Sequence, residues 1–494
     1  MNFLEELKKP RTILVTALIL YVIGKLILLS NYHDVRWDEA VYLVMSQYIL
    51  SGGQTGFWEA LRPPLWPLML AIIAGIGIDP VLGGEILAAT LGALGAIYLY
   101  KTLQEYVHEL LAASTATLLL ATNIWFWGSS QLLTGVPSAS LLIIGLYLYN
   151  KKRYLLAGII LAAAALTRYP VGLGLIAVGL THLYTMYQNK YDKQSLTELA
   201  QTILGAATLL LPWMITNAFV YTDKGLQAPI QPLLEGGGNV FFFNTWLHNT
   251  QPLYYFEHLL TLLPITLLTL IGILYVHKHQ RLIPYALLTL FTLTFFTLLP
   301  NNQWRFALLI LPGVLVLTAL GAQKISEYKK PLLYVLTALI LLNAAVLAVN
   351  NTEYFSHRGE EPASIETNYY RFLEEHPVNG TIYVSDPIVA YYAENKATPI
   401  YYEFLEDKEE LMKQEAAAVF FIPRSTPCHP EDTRCKENLE AFTSHLIETY
   451  TLVHVYEHNT YKHYVFSNQI PLQALPTEEI WQELIHVTNN PPRE

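Results

Sequence analysis

The sequence predicts a multi-span α-helical membrane bundle with a C-terminal external soluble α/β domain. Three observations carry that prediction. Only 14% of the residues are charged, against about 25% in an ordinary soluble protein. Apolar residues make up 53% of the chain and are gathered into long blocks. The last part, residues 351–494, has no such block and is polar.

The first block, Ile13–Ser30, follows MNFLEELKKPRT. It is long and no small-residue cleavage site comes after it, so it reads as a retained span rather than a signal peptide. Leu82–Tyr100, Ile203–Val220 and Leu332–Val349 are blocks of similar length. At about 1.5 Å per residue each can cross roughly 30 Å of hydrocarbon. Backbone groups in that slab must pair within their own segment, which makes each block a helix.

Short basic connections occur at Lys151–Arg153, Lys190–Lys193, Lys278–Arg281 and Lys324–Lys330. Positive charge stays inside, so these are placed in the cytoplasm. Gly128–Leu132, Asp223–Pro252, Pro300–Arg305 and the C-terminal domain then fall outside. Counting parity from that end leaves Pro63–Ile78 beginning and finishing outside. This stretch is short and rich in Pro and Gly, so it is expected to be re-entrant or interfacial. The bundle then has about eleven spans, or twelve to thirteen if one connection is misplaced. It occupies residues 1–350, with long external loops at 31–62 and 223–252.

The loop 31–62 carries an apolar stripe of Val41, Leu43, Val44, Tyr48 and Ile49 behind a group of acids. Such a helix is expected to lie in the interface plane. The loop 223–252 holds Gly236–Asn239 and then Phe241–Phe243 and Trp246. It reads as a functional loop or as a lipid-facing aromatic belt. In residues 351–494, Thr381–Val384, Ala417–Ile422, Tyr450–Tyr456 and Tyr461–Phe466 have strand composition. Segments near Pro387–Glu394, Leu405–Glu415 and Arg434–Glu448 look helical. The stretch AYYAENKATPIYYEF reads as a packed helix and strand ahead of an acceptor-facing surface. The two cysteines, Cys428 and Cys435, lie in this domain. A disulfide suits an external location, and zinc lacks an evident fourth ligand.

The densest cluster of reactive side chains is Asp34, Arg36, Trp37, Asp38, Glu39 and Tyr42. Adjacent carboxylates beside a low-dielectric boundary repel, which biases one toward a proton or a cation. That suits a general base. It equally suits an N-cap, with Asp38 or Asp34 opening the helix. Arg62 precedes two prolines that forbid a helix through this point. Its guanidinium can pair with phosphate oxygens or anchor at the interface. Arg168 in LTRYP, Arg305 in NQWRF and Glu85 in GGEILAAT lie near external span ends. Arginines there run against the inward bias of positive charge, which favours a cavity role, with pairing to Glu85 as the plainer alternative. Asp38, Glu39 and Glu85 also raise a shared divalent cation as a cofactor.

Taken in order, RWDEAVY, RPPLWPL, LTRYP and WRFALLILPGVLVL resemble the GT-C class of membrane glycosyltransferases. The likeness is to the branch of protein O-mannosyltransferases and of the aminoarabinose transferases that modify lipid A. It covers most of the chain. It implies a monosaccharide donor on a polyprenyl phosphate, dolichyl or undecaprenyl, and inversion at the anomeric carbon. It puts the base on Asp38 and a donor-phosphate contact on Arg62. Arg168 and Arg305 are further candidates for the phosphate, with Glu39 beside the base and Arg36, Tyr42 and Glu85 as accessory residues. There are two departures. Gly135, in Leu133-Thr134-Gly135-Val136-Pro137, stands where many members carry an acid, and Glu85 stands where many carry Arg.

The acceptor is a hydroxyl on a protein, lipid or glycan, and membrane lipids are partners throughout. Nucleic acid is not an expected partner, because no basic stripe exists; the net charge of −10 says little about partners, since the acids concentrate in the last third. A transporter or flippase of a lipid-linked substrate is the rival class, but its polar sites sit near the bilayer midplane in repeated halves, and no repeat is evident. An O-antigen-type ligase or polymerase is a second enzyme alternative. The modest size favours the plasma membrane of a prokaryote over the endoplasmic reticulum.

Overall fold

The computed structural model describes residues 10–29, 35–59, 62–190, 192–220, 263–298, 304–353, 355, 366–401, 415–423, 433–458, 461–478 and 480–481. The aromatic loop 223–252, the expected helix at 405–415 and Cys428 lie outside them, as does the side chain of Cys435. The chain divides into two compact units. One holds Met1–Tyr32, Ala60–Trp66 and Val81–Arg358, and the other holds His33–Glu59, Pro67–Pro80 and Gly359–Glu494.

The first unit is helical. Its helices are α1 (Pro10–Leu29), then, past two described below, α4 (Pro80–Leu103), α5 (Glu109–Ala121), α6 (Asn123–Gly128), α7 (Gly135–Asn150) and α8 (Tyr154–Thr167). They continue as α9 (Leu173–Gln188), α10 (Lys193–Val220), α11 (Leu263–Tyr275), α12 (Ile283–Leu298), α13 (Leu311–Ser326) and α14 (Lys330–Asn350). Five helices among the described residues are long and apolar enough to cross a membrane: Pro10–Leu29, Pro80–Leu103, Tyr169–Gln188, Lys193–Thr216 and Lys330–Asn350. The other apolar helices of this unit are shorter.

The surface of the bundle explains why it needs lipid. On α1, Leu20 and Leu26 are 63% and 61% exposed, and on α14 Leu342 and Val349 are 62% and 66% exposed. Continuous apolar exposure of this kind is unfavourable in water and neutral in hydrocarbon. Packing between helices therefore relies on close approach rather than on hiding apolar surface. A Cβ at Gly272 would stand 1.9 Å from the Leu317 carbonyl oxygen, and one at Gly321 would stand 1.9 Å from that of Leu268. The reciprocal glycines let α11 and α13 meet backbone to backbone.

The second unit is built on a five-stranded sheet in the order β2-β1-β3-β5-β4. Its strands are β1 (Ile382–Val384), β2 (Ala397–Pro399), β3 (Ala418–Phe421), β4 (Leu452–His458) and β5 (Tyr461–Phe466). The pairs β1–β2 and β1–β3 are parallel, and β3–β5 and β4–β5 are antiparallel. Helices α15 (Phe372–Glu375), α16 (Pro387–Ala393) and α17 (Thr433–Thr449) accompany it. Asp386 caps α16, its Oδ1 accepting from the Ile388 amide at 2.9 Å. Strands β1, β3, β4 and β5 fall where composition placed them. The short β2 lies inside AYYAENKATPIYYEF, whose Ala397, Ile400 and Tyr401 are buried.

The expectation for the first loop is corrected. The apolar face of helix α2 (Trp37–Leu50) is covered by protein and not by lipid: residues 39–46 are all buried. Val41, Val44 and Met45 share one core with Phe372, Ile382, Phe420 and Val465 of the sheet unit. Burying each large apolar side chain contributes about 1.5–3 kcal/mol, so a ready-made sheet core outcompetes a bilayer surface. Backbone pairing completes the join. The Gly56 amide donates to the Asn395 carbonyl at 2.8 Å, and the Ala397 amide donates to the Gly56 carbonyl at 2.9 Å. The stretch 63–78 forms α3 (Leu65–Gly75), only 11 residues long, which is well short of the roughly 20 a spanning helix needs.

Candidate functional site

The acidic pair stands at the start of α2. The residue that opens the helix is Arg36, in an extended conformation, and not Asp38; Asp34 lies outside the described residues. Glu39 performs the reciprocal half of the cap: its Oε2 accepts from the Arg36 amide at 2.9 Å. Glu39 is fully buried, whereas Asp38 is half-buried in the first turn, where a helix N-terminus favours negative charge. Tyr42, one turn later, is buried. Of the two carboxylates, one is thus part of the helix start and the other is presented from it.

That presentation is held by neighbours on both sides in sequence. The Trp37 ring meets Tyr401 edge-on at 5.1 Å. The Tyr401 hydroxyl donates to Glu59 Oε2 at 2.8 Å, and both residues are buried. Tyr401→Phe is expected to lower stability by roughly 1.5–3 kcal/mol, because a buried carboxylate loses a donor. The check is the unfolding midpoint of the full chain in detergent, and an unchanged midpoint would mean that Glu59 finds an equivalent donor.

The bundle gathers the arginines. Arg168 ends α8 in an extended conformation, and Arg305 belongs to a short 3-10 turn (Trp304–Leu309) before α13. Both guanidinium groups address one ring. Arg168 Cζ is 5.4 Å and Arg305 Cζ is 5.7 Å from the centroid of Phe306, within cation–π range. Phe306 is fixed in turn by stacking on Phe296 at 5.0 Å. Arg62 comes beside them through its backbone, whose carbonyl accepts from the Tyr169 hydroxyl at 3.5 Å. Nearby, Trp66 Nε1 donates to the Leu132 carbonyl at 2.6 Å and ties the Pro-Pro element down.

Gly135 opens α7 at the same end. A Cβ there would be 3.9 Å from Arg168 Nη1 and 2.6 Å from Leu308 Cδ1. A side chain in this position would stand against that arginine and against Leu308. Two guanidinium groups on one ring, those of Arg168 and Arg305, form a place suited to an anion with several acceptor oxygens.

Sequence reading missed Lys25. It is only 5% exposed although it sits in α1. Its Nζ donates to the Phe126 carbonyl and to Ser130 Oγ at 2.6 Å, and it lies 4.1 Å from the centroid of the Phe126 ring. A charge within a 20-residue apolar helix was the available signal. Glu85 also lies buried within α4. Among the described residues no three His, Cys, Asp or Glu side chains converge as a metal site.

Residues 13–387 match the family model of the Alg9-like mannosyltransferases. The chain belongs to the Alg9-like mannosyltransferase family. It is a membrane glycosyltransferase of the GT-C class. This glycosyltransferase shares its fold with ArnT from Cupriavidus metallidurans. The crystal structure bound to undecaprenyl phosphate matches with TM-score 0.62 at 13% identity, covering 94% of this chain and 99% of that one. The apo crystal structure gives TM-score 0.59 at 12% identity over the same shares. The S. cerevisiae protein O-mannosyltransferase Pmt1–Pmt2 complex bound to the sugar donor matches at 21% identity over 48% of this chain and 36% of that chain, with TM-score 0.34. No curated protein matches the chain. The resemblance read from four short motifs thus agrees with the family the whole helical region matches.

Proposed function

We propose that this chain moves a monosaccharide from a polyprenyl-phosphate donor to an acceptor hydroxyl on the external face of a membrane, with inversion. The observation that carries the reading is the arginine group, with Arg168 and Arg305 on one face-sharing aromatic, Phe306, and the Arg62 backbone beside Tyr169. Undecaprenyl phosphate bound to the ArnT relative supports a donor of the same class here.

The chemistry asks for two functions. An acceptor hydroxyl is a poor nucleophile, and Asp38 takes its proton as the oxygen attacks the anomeric carbon. The bond from that carbon to the phosphate oxygen breaks, and the electron pair leaves with the lipid phosphate. Arg62, Arg168 and Arg305 stabilise the charge that collects there. Removing a prenyl tail from the bilayer costs about 0.8 kcal/mol for each CH₂ group, so the reaction belongs at the membrane surface. In this reading the helical region carries about eleven spans, residues 351–494 form an external domain, and the membrane is the plasma membrane of a prokaryote. The acceptor is a protein, lipid or glycan.

The test is direct. Purified full-length protein is incubated with radiolabelled undecaprenyl- or dolichyl-phosphate sugars and a membrane extract that supplies acceptors. Labelled product and released lipid phosphate are the expected result. Label left on every donor, with the protein folded and monodisperse, would remove the transferase reading for donors of this class.

A further inference from the structure

The opposite end of the α7–α8 hairpin holds a second polar feature that the transfer reaction does not use. A cavity of about 240 Å³ opens there among the connections after α7, after α9 and before α12. One water needs roughly 10–15 Å³ on the same measure, so the cavity has room for a group of several heavy atoms. The 16 residues of α7 separate it from Gly135 by about 24 Å, so it is distinct from the arginine group.

Its lining carries two charges of each sign. Lys152 and Arg281 supply cations, and Asp192 and Glu198 supply carboxylates. Each is held by local structure. Lys152 sits in a left-handed turn with φ of 59°. Arg281 Nη1 donates to the Asn150 carbonyl at 2.9 Å, and its other donors remain for the cavity it lines. Asp192 caps the start of α10, accepting from the Ser195 amide at 3.3 Å. Glu198 accepts from Gln194 Nε2 at 3.0 Å. The wall behind is rigid: His182 bonds Thr202 Oγ1 at 3.2 Å and meets Tyr149 edge-on at 5.1 Å.

Two further observations point to an occupant. Asn150, whose carbonyl holds the lining residue Arg281 but whose side chain does not itself line the cavity, is 1% exposed, and neither its amide nitrogen nor its amide oxygen has a hydrogen-bond partner. Buried amides are normally paired, and a bound polar group or water fills such a deficit. The apolar side chains next to the cavity are also uncovered. Leu155 and Leu156 on α8 are 42% and 46% exposed, and Leu196 and Ile203 on α10 are 55% and 59% exposed. A polar pocket of balanced charge at a helix-bundle end, continuous with an apolar outer face, suits one amphiphile.

We propose that this cavity seats the headgroup of a bilayer phospholipid carrying both a phosphate and a primary ammonium, the chemistry of phosphoethanolamine. Lys152 and Arg281 take the phosphate, Asp192 and Glu198 take the ammonium, and the acyl chains lie along Leu155, Leu156, Leu196 and Ile203. A purely anionic headgroup would meet two carboxylates. A quaternary ammonium would offer them no N–H donors. The proposal is independent of the transfer reaction.

Native mass spectrometry of the full-length protein, with equimolar phosphatidylethanolamine, phosphatidylcholine and phosphatidylglycerol, tests it. We expect phosphatidylethanolamine retained about tenfold over the other two. Glu198→Gln and Arg281→Gln should each bring that ratio near one. If Arg281→Gln does not yield monodisperse protein, Lys152→Gln, at an exposed turn, takes its place. Equal retention of phosphatidylglycerol by the wild type, or a ratio unchanged in both variants, would overturn the proposal. A thermal-shift arm with free phosphoethanolamine separates the sources. No shift at concentrations where the dispersed lipid shifts the midpoint supports a bilayer lipid, whereas an equal shift would overturn the lipid assignment in favour of a soluble ligand.

Discussion

Asp38→Asn is expected to reduce the turnover of labelled donor by about 10²–10⁴-fold, the usual contribution of a positioned general base. The carboxamide keeps the shape of the side chain but cannot take a proton at neutral pH. Donor binding should therefore stay near wild type, and the loss should fall on kcat rather than KM. Glu39→Gln provides the contrast. Its carboxylate accepts from the Arg36 amide at the helix start, so that change is expected to lower stability by about 0.5–2 kcal/mol, as other cap losses do, with a smaller effect on kcat. Single-turnover rates of both variants, beside their unfolding midpoints, distinguish the two carboxylates. Equal transfer by Asp38→Asn and wild type would move the base elsewhere.

Arg168→Gln is expected to lower kcat by about 10²–10³-fold, because a charge-stabilising donor at the leaving phosphate is removed. Arg305→Gln should fall in the same range. Both guanidinium groups lean on Phe306, so they are expected to act as a unit, and the double variant should lose less than the product of the single losses. Phe306→Leu keeps both charges and removes only the ring, and a loss of about fivefold fits the roughly 1 kcal/mol of a cation–π contact. The measurement is release of lipid phosphate at saturating donor. A product of losses that is strictly multiplicative would mean that the two arginines serve separate sites.

Several features of the chain were legible in one dimension, each for a local reason. A run of apolar residues such as Ile13–Ser30 must become a helix in lipid, because no water is present to satisfy its backbone, and α1 occupies Pro10–Leu29. Strands β1, β3, β4 and β5 announced themselves through β-branched and aromatic composition. The short β2 was folded into a packed helix-and-strand reading, since three residues carry little pattern. The order of RWDEAVY, RPPLWPL, LTRYP and WRFALLIL was enough to indicate the class of enzyme.

The candidate site was legible in its parts and not in its assembly. Arg168 and Arg305 were singled out because charge at a span end is costly and needs a reason. Nothing in the neighbourhood of either residue in sequence says that one phenylalanine ring serves both. Asp38 and Glu39 looked interchangeable in sequence and are not: which of them caps α2 depends on a helix starting at Arg36 rather than at Asp34 or Asp38. Lys25 went unnoticed, although a lysine inside an apolar helix was visible, because its partners Phe126 and Ser130 belong to a distant part of the chain.

By itself the sequence determined that this protein lives in a bilayer, where its helices run, and which residue types are available for moving a sugar. These follow from transfer free energies and periodicities that act residue by residue. Only the tertiary structure decided that the first loop joins the sheet unit, with Val41 and Met45 in one core with Phe420 and Val465, and that the arginines gather at Phe306. An amphipathic stripe records only that a face must be covered. What covers it is settled by competition among surfaces far apart in the chain, and that competition leaves no local mark.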